Sequence, residues 1–214
     1  MALTFYYGSG SPFAWRVWLA LEHKGLSYDL KVLSFDKREH KTPDYLAINP
    51  RGEVPALVDD GFAIFESNAI VEYIAERWPE GPTLFPADIR QRAIQRRMIR
   101  EIDNHFVEAV EHLVLPLLYQ ADAPDAAERT AKALEELRGE FQYWETALSG
   151  DWLGGAVPSA ADFTLYPSVA MLGRIETRKP GTVPADLIPP KMAAWERRMR
   201  ALPIVEKTLP PHWR

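Results

Sequence analysis

The sequence changes texture at residues 79–88, PEGPTLFPAD, where three prolines and one glycine fall within ten residues. Proline lacks the N–H that a helix interior needs and biases the residue before it towards extended backbone, so this stretch reads as a break between elements. Ahead of it, short β-favouring runs alternate with helical ones. Behind it, nearly every segment carries helical spacing. The expected architecture is therefore an α/β domain over residues 1–79, a linker over 80–87 and an all-α domain over 88–214.

Within the first part, LTFYY (3–7) is a strand pattern ending in a GSGS turn, and PFAWRVWLALEHK is amphipathic up to Gly25, a natural residue to follow a helix. YDLKVL (28–33) returns to a strand pattern, TPDYLAI (42–48) is a short helix stopped by NPRG, and Asp60-Gly61 sits between two apolar runs as a hairpin signal. ESNAIVEYIAERW (66–78) spaces Ile70, Tyr73, Ile74 and Trp78 as one helical face. In the second part the patterns predict helices over 88–119, 125–148, 159–174 and 189–202.

Hydrophobic residues make up 47% and charged residues 26% of 214, enough for packed cores in both parts. The net charge is −5 and the basic residues are scattered, which argues against a nucleic-acid partner. There is no cysteine, so disulfides, thiolate metal sites and protein-thiol nucleophiles are excluded, and any sulfur chemistry must arrive with a ligand. No apolar run approaches the ~18 residues of a membrane span, and MALTFYYGSG lacks the basic and apolar regions of a secretory leader. No membrane partner and a cytoplasmic location are the expectation.

Three short stretches carry candidate chemistry. Ser11 stands at an N-cap with Pro12 behind it, an ordinary helix start that also offers unpaired N–H groups and a positive dipole end to an anion such as a thiolate. Pro55 lies at the edge of a strand, where a cis Val54–Pro55 bond would turn the Val54 backbone outward for a peptide-like ligand. Glu66-Ser67 opens a helix and could equally grip a ligand bearing both an ammonium and a carboxylate.

Taken together, SPFAWRV (11–17), EHKTPDYLAINPRGEVPAL (39–57), FESNAIVEYI (65–74) and the capping-box pattern of PSAADFTLYP (158–167) resemble the cytosolic glutathione transferase superfamily, in its serine-type, phi-like and related bacterial branches. The resemblance implies a thioredoxin-like N-terminal domain that binds glutathione as cosubstrate without a metal, a helical domain that supplies a pocket for a hydrophobic electrophile, and a homodimer. Position by position, it implies that Ser11 donates to the glutathione sulfur, that His40 and Lys41 face the glycine carboxylate, that Val54 beside a cis Pro55 pairs with the cysteinyl unit, and that Glu66 and Ser67 hold the γ-glutamyl end. Glu53 departs from the pattern, since a carboxylate there repels the glycine end unless it turns away or pairs with Lys41 or Arg51. Phe13, Phe35 and Phe106, with Trp213, are candidates for the electrophile pocket.

Rival readings stand beside these. Glu101, His105, Glu108 and His112 share a helical spacing that could hold a metal, though such a face is more commonly solvated. Tyr6, Tyr7 or Ser9 could replace Ser11, and the whole fold could serve as a noncatalytic binding module. The energetics are sufficient for a serine mechanism. A thiol with pKa about 8.5 is ~3% ionised at neutral pH, and lowering that pKa by ~2 requires about 2.7 kcal/mol. One hydroxyl hydrogen bond to the anion supplies ~1.5–3 kcal/mol and a helix terminus ~0.3–1 more.

Overall fold

The computed structural model describes residues 2–213. They form two compact units, one running up to Phe85 and taking in the segment from Leu202 onward, the other spanning Pro86–Ala201.

The first unit begins with β1 (Leu3–Gly8), α1 (Pro12–His23) and β2 (Asp29–Leu33). A 3-10 turn (Glu39–Lys41), α2 (Pro43–Leu46), β3 (Ala56–Asp59), β4 (Phe62–Phe65) and α3 (Ser67–Arg77) follow. The sheet order is β2-β1-β3-β4. β2 pairs parallel to β1 because α1 carries the chain back across the sheet, and β3 and β4 pair antiparallel because a tight turn joins them. That turn holds Asp60 at φ 46° and Gly61 at φ 91°, the two left-handed residues of a type I′ hairpin. The inward side of β1, Leu3, Phe5 and Tyr7, packs into a core shared with Trp15, Val17 and Leu19 of α1 and Ile70 and Ile74 of α3. α1 closes with the Gly25 N–H on the Glu22 carbonyl (3.0 Å) and the Leu26 N–H on that of Leu21 (3.1 Å), with Gly25 at φ 65°. This is the thioredoxin-like α/β arrangement expected of the sequence.

In the second unit, α4 (Ile89–Glu101) passes through a wide π turn (Ile102–Phe106) into α5 (Val107–Val114) and a second π turn (Leu115–Tyr119), so the stretch expected over 88–119 is helical throughout. α6 (Ala126–Ala147), α7 (Ala160–Arg178) and α8 (Pro190–Arg200) complete it. α7 contains Pro167 and runs beyond the expected 174. Its start is fixed by Asp162, wholly buried, which accepts from the Ser159 N–H (2.9 Å), the Ser159 hydroxyl (2.7 Å), the Leu153 N–H (2.8 Å) and the Trp195 indole (2.8 Å). Among the described residues no helix is long and apolar enough to cross a membrane.

One boundary needs correcting. The helical domain was expected to run to 214, but α9 (Pro203–Thr208) and a 3-10 turn (Pro211–Trp213) belong to the first unit. The cause is a buried polar pair: the Trp15 indole of α1 donates to Thr208 Oγ1 at 2.8 Å, and both residues are almost fully enclosed. No local pattern announces a contact between residues so far apart in the chain.

Candidate functional site

The first unit contains a cavity of about 200 Å³ lined by Phe13, Asn49, Glu53, Val54, Pro55, Glu66 and Ser67. Five of these, Glu53, Val54, Pro55, Glu66 and Ser67, are residues the sequence assigned to ligand binding, and Phe13 was assigned to the neighbouring electrophile pocket. The volume is below the ~300 Å³ at which drug-sized pockets begin, and suits one amino-acid unit of a peptide rather than a whole tripeptide.

The cavity is built by local geometry. Val54–Pro55 is a cis peptide, which ends the loop after α2 and starts β3. The carbonyl of Glu53 is clamped by the Tyr45 hydroxyl and by Asn49 Nδ2 (2.7 Å), while Asn49 Oδ1 accepts from the Arg51 N–H at 3.1 Å. Asn49 was missed from the sequence as a site residue. The signal was present in NPRG, since Asn before Pro favours a side-chain-to-backbone turn, but it had been read only as a helix stop.

Glu66 leads into α3 at φ 71°, ψ 110°, a conformation L-residues with a β-carbon rarely hold. Its side chain makes no cap hydrogen bond, and its carboxylate lies 4.0 Å from Arg51 Nε, both groups largely exposed. Ser67 beside it is buried. Glu66 and Ser67 thus present a carboxylate and a hydroxyl side by side at the cavity.

Ser11 caps α1: its Oγ accepts from the Ala14 N–H at 3.2 Å, with Pro12 at the first helical position. Accepting through a lone pair leaves the hydroxyl proton to be donated elsewhere. Ser9 is more occupied, with Oγ 3.0 Å from His212 Nδ1 and a further hydrogen bond to Tyr7. Tyr7 is enclosed in the core, accepts from the Gly10 N–H at 3.2 Å, and has its hydroxyl pKa raised by burial. Tyr6 points the other way along the strand and packs against Tyr45, ring centres 5.6 Å apart. Both tyrosines are thus engaged as structural groups.

His40 and Lys41 do not line the cavity. They sit on the adjoining 3-10 turn, where Lys41 Nζ donates to the Arg51 carbonyl at 3.1 Å. Gly52, at φ 61°, lets this turn come close, since a β-carbon there would lie 2.8 Å from the His40 carbonyl. The His40 ring meets Phe35 edge-on at 5.3 Å, and burial, then the charges of Lys41 and Arg38, hold its pKa below the usual 6.5. Of the two outcomes open to Glu53, pairing with Lys41 or Arg51 does not occur among the described residues: Lys41 is directed to the Arg51 carbonyl and Arg51 to Glu66. Glu53 is exposed and at the same time lines the cavity.

Phe35 is 43% exposed and covers Gly8, where a β-carbon would strike its ring at 2.4 Å. Phe106 is corrected as a pocket residue: it is fully buried, packed edge-on against Phe141 at 5.1 Å in the core of the second unit. Trp213 rests on Trp15 in the first unit, ring centres 5.4 Å apart. On the face once read as a possible metal spacing, His112 Nδ1 lies 2.8 Å from Glu136 of α6, and among the described residues no group of three or more His, Asp or Glu could hold a metal.

Residues 10–77 match the family model described as glutathione S-transferase, N-terminal domain. The chain is 30% identical to glutathione S-transferase A of Pleuronectes platessa, over 99% of this chain and 92% of that protein. It is 34% identical to glutathione S-transferase 3 of Zea mays, over 93% and 89%. The crystal structure of a glutathione S-transferase from the Antarctic clam Laternula elliptica superposes with a TM-score of 0.81 at 31% identity, covering 100% of this chain and 94% of that one. The chain belongs to the glutathione S-transferase family.

Proposed function

We propose that this transferase ionises bound glutathione through Ser11 and passes the thiolate to an electrophilic small molecule, or to a peroxide oxygen, in a serine-type, phi-like mechanism. The observation that carries this reading is the cap geometry. Ser11 Oγ spends an acceptor site on Ala14 and keeps its proton as a donor at the positive end of α1, in the same turn as Phe13 of the cavity wall. The γ-glutamyl end is held by Glu66 and Ser67, the cysteinyl unit by the Val54 backbone beside Pro55, and the glycine end lies towards His40 and Lys41, with Phe13 and Phe35 on the side of the second substrate. The protein works as a cytoplasmic homodimer.

The experiment is a titration of thiolate absorbance in the glutathione complex of the wild type, Ser11→Ala and Ser9→Ala. Ser11→Ala raises the bound thiol's pKa by about 1–2 pH units and costs about 1 kcal/mol of stability as a lost cap. Its activity deficit narrows as pH rises, because solvent then performs the ionisation. A loss of stability with an unmoved thiol titration reduces Ser11 to a helix cap, and a shift carried by Ser9→Ala transfers the role to that residue. No glutathione binding by the wild type at millimolar concentration leaves the noncatalytic reading in its place.

A further inference from the structure

The C-terminal segment returns to α1 at several levels. Lys207 Nζ meets Glu22 Oε2 at 2.6 Å near the end of the helix, and Thr208 accepts from Trp15 in its first turn. At its beginning, His212 and Trp213 lie over the loop that leads into Ser11: a β-carbon on Gly10, which holds φ 88°, would come within 3.2 Å of His212 Cε1 and Nε2. The hydrogen-bond directions there follow from chemistry. An indole N–H only donates, so in the 3.0 Å contact of Trp213 Nε1 with His212 Nε2 the imidazole nitrogen accepts. The proton of the neutral ring is therefore on Nδ1 and is donated to Ser9 Oγ at 3.0 Å. The Ser9 hydroxyl also bonds the Tyr7 hydroxyl, and Tyr7 Oη accepts from the Gly10 N–H at 3.2 Å. Trp213, His212, Ser9 and Tyr7 thus form one hydrogen-bonded run that reaches the enclosed Tyr7, on which the Gly10 N–H immediately before Ser11 also converges.

We propose that His212 is a positioning residue for thiol activation: it fixes the Ser9-Gly10 backbone through Ser9 and Tyr7, and thereby the direction in which the Ser11 hydroxyl points. The inference rests on the role given to Ser11 above. A hydroxyl hydrogen bond weakens steeply once its angle opens, so a loop with freedom to rock loses thiolate stabilisation even while glutathione stays bound. The grip of Glu66 and Ser67 lies on α3 and does not depend on the tail, so the effect falls on ionisation rather than on binding.

The test compares the wild type, Ser11→Ala, His212→Ala and His212→Asn in the full chain, reading the bound thiol's titration, kcat, KM for glutathione and thermal unfolding. In His212→Ala the bound thiol titrates about one pH unit higher and kcat at neutral pH falls roughly tenfold, with KM for glutathione changed less than about twofold. His212→Asn, whose amide N–H can replace Nδ1–H towards Ser9, restores most of the loss. An unmoved thiol titration in His212→Ala, while Ser11→Ala shifts it, overturns the proposal and leaves the Ser11 reading standing. A thiol that titrates normally in Ser11→Ala overturns both. Equal losses in the alanine and asparagine variants that follow their unfolding temperatures also overturn it, since that is the mark of a purely structural tail.

Discussion

Glu66 lines the cavity while its backbone holds a conformation that is costly to the fold. A side chain held at φ 71° costs about 1–3 kcal/mol, and no cap hydrogen bond offsets it. Glu66→Gly removes both the strain and the carboxylate, so thermal unfolding finds the variant at least as stable as the wild type, while calorimetry finds glutathione bound at least tenfold more weakly through loss of a charge-assisted bond worth ~1.5–3 kcal/mol. Stability and affinity falling together would show that Glu66 is part of the scaffold. Tyr45 makes the opposite contribution. Burial pushes its hydroxyl up to about 12 from an ordinary value of 10, and its hydroxyl donates to the Glu53 carbonyl behind the cavity. A raised phenol favours the folded state fully below pH 10, and that contribution is lost as pH rises from 10 through about 12. Urea midpoints measured across that window fall less steeply for Tyr45→Phe than for the wild type. Positions set by sequence neighbours, the Ser11 cap before Pro12 and Glu66 at the entry of α3, were legible from the chain. Asn49 was legible only as the turn signal of NPRG and Tyr45 not at all, because the Glu53 carbonyl they share is reached only when the chain folds back on itself.

Among the elements, α7 is the one most dependent on a single polar group. Burial pushes the Asp162 carboxyl up, and the N–H groups of Leu153, Ser159 and Gly154, the Ser159 hydroxyl and the Trp195 indole oppose that by donating to it. These donors come from the loop after α6, the start of α7 and the body of α8, so the carboxylate joins three pieces of one unit. Asp162→Ala strands enclosed donors, each costing about 1–3 kcal/mol, and the denaturant midpoint falls by the equivalent of more than about 3 kcal/mol with the slope unchanged. Ser159→Ala costs about 1 kcal/mol. A loss below about 1 kcal/mol in Asp162→Ala would mean that water or a shifted loop satisfies those donors. The Ser159-x-x-Asp162 spacing made the helix start readable, as Asp60-Gly61 did the hairpin, because both are settled within four residues. The bond to Trp195 and the existence of α9 were not, since each depends on a partner distant in sequence.

At the scale of the molecule, the sequence showed where one kind of packing stops and another begins, but not that the chain comes back. Prolines in 79–88 mark the change from sheet to helices, whereas the return of residues beyond 202 to α1 rests on Trp15, Thr208 and Lys207, none of which stands out in a linear reading. Assembly is the remaining property of this scale. An isologous dimer uses each contributing patch twice, and apolar residues exposed on the monomer are its natural material. Phe62, 53% exposed against Tyr73 on the hairpin side of the first unit, and Ile94, 42% exposed on α4 of the second, are such residues. Surface ion pairs contribute little, typically under about 1 kcal/mol each, so a dimer of this chain is expected to rest on apolar burial. Light scattering at micromolar concentration then reports about twice the 24.3 kDa chain mass, and changes little between low and moderate salt. Phe62→Ser moves the measured mass towards a single chain on dilution, earlier than the wild type does. A wild type that scatters as one chain at tens of micromolar refutes the dimer, and a dimer that dissolves with salt rather than with Phe62→Ser would place charge, not the apolar surface, in control of it.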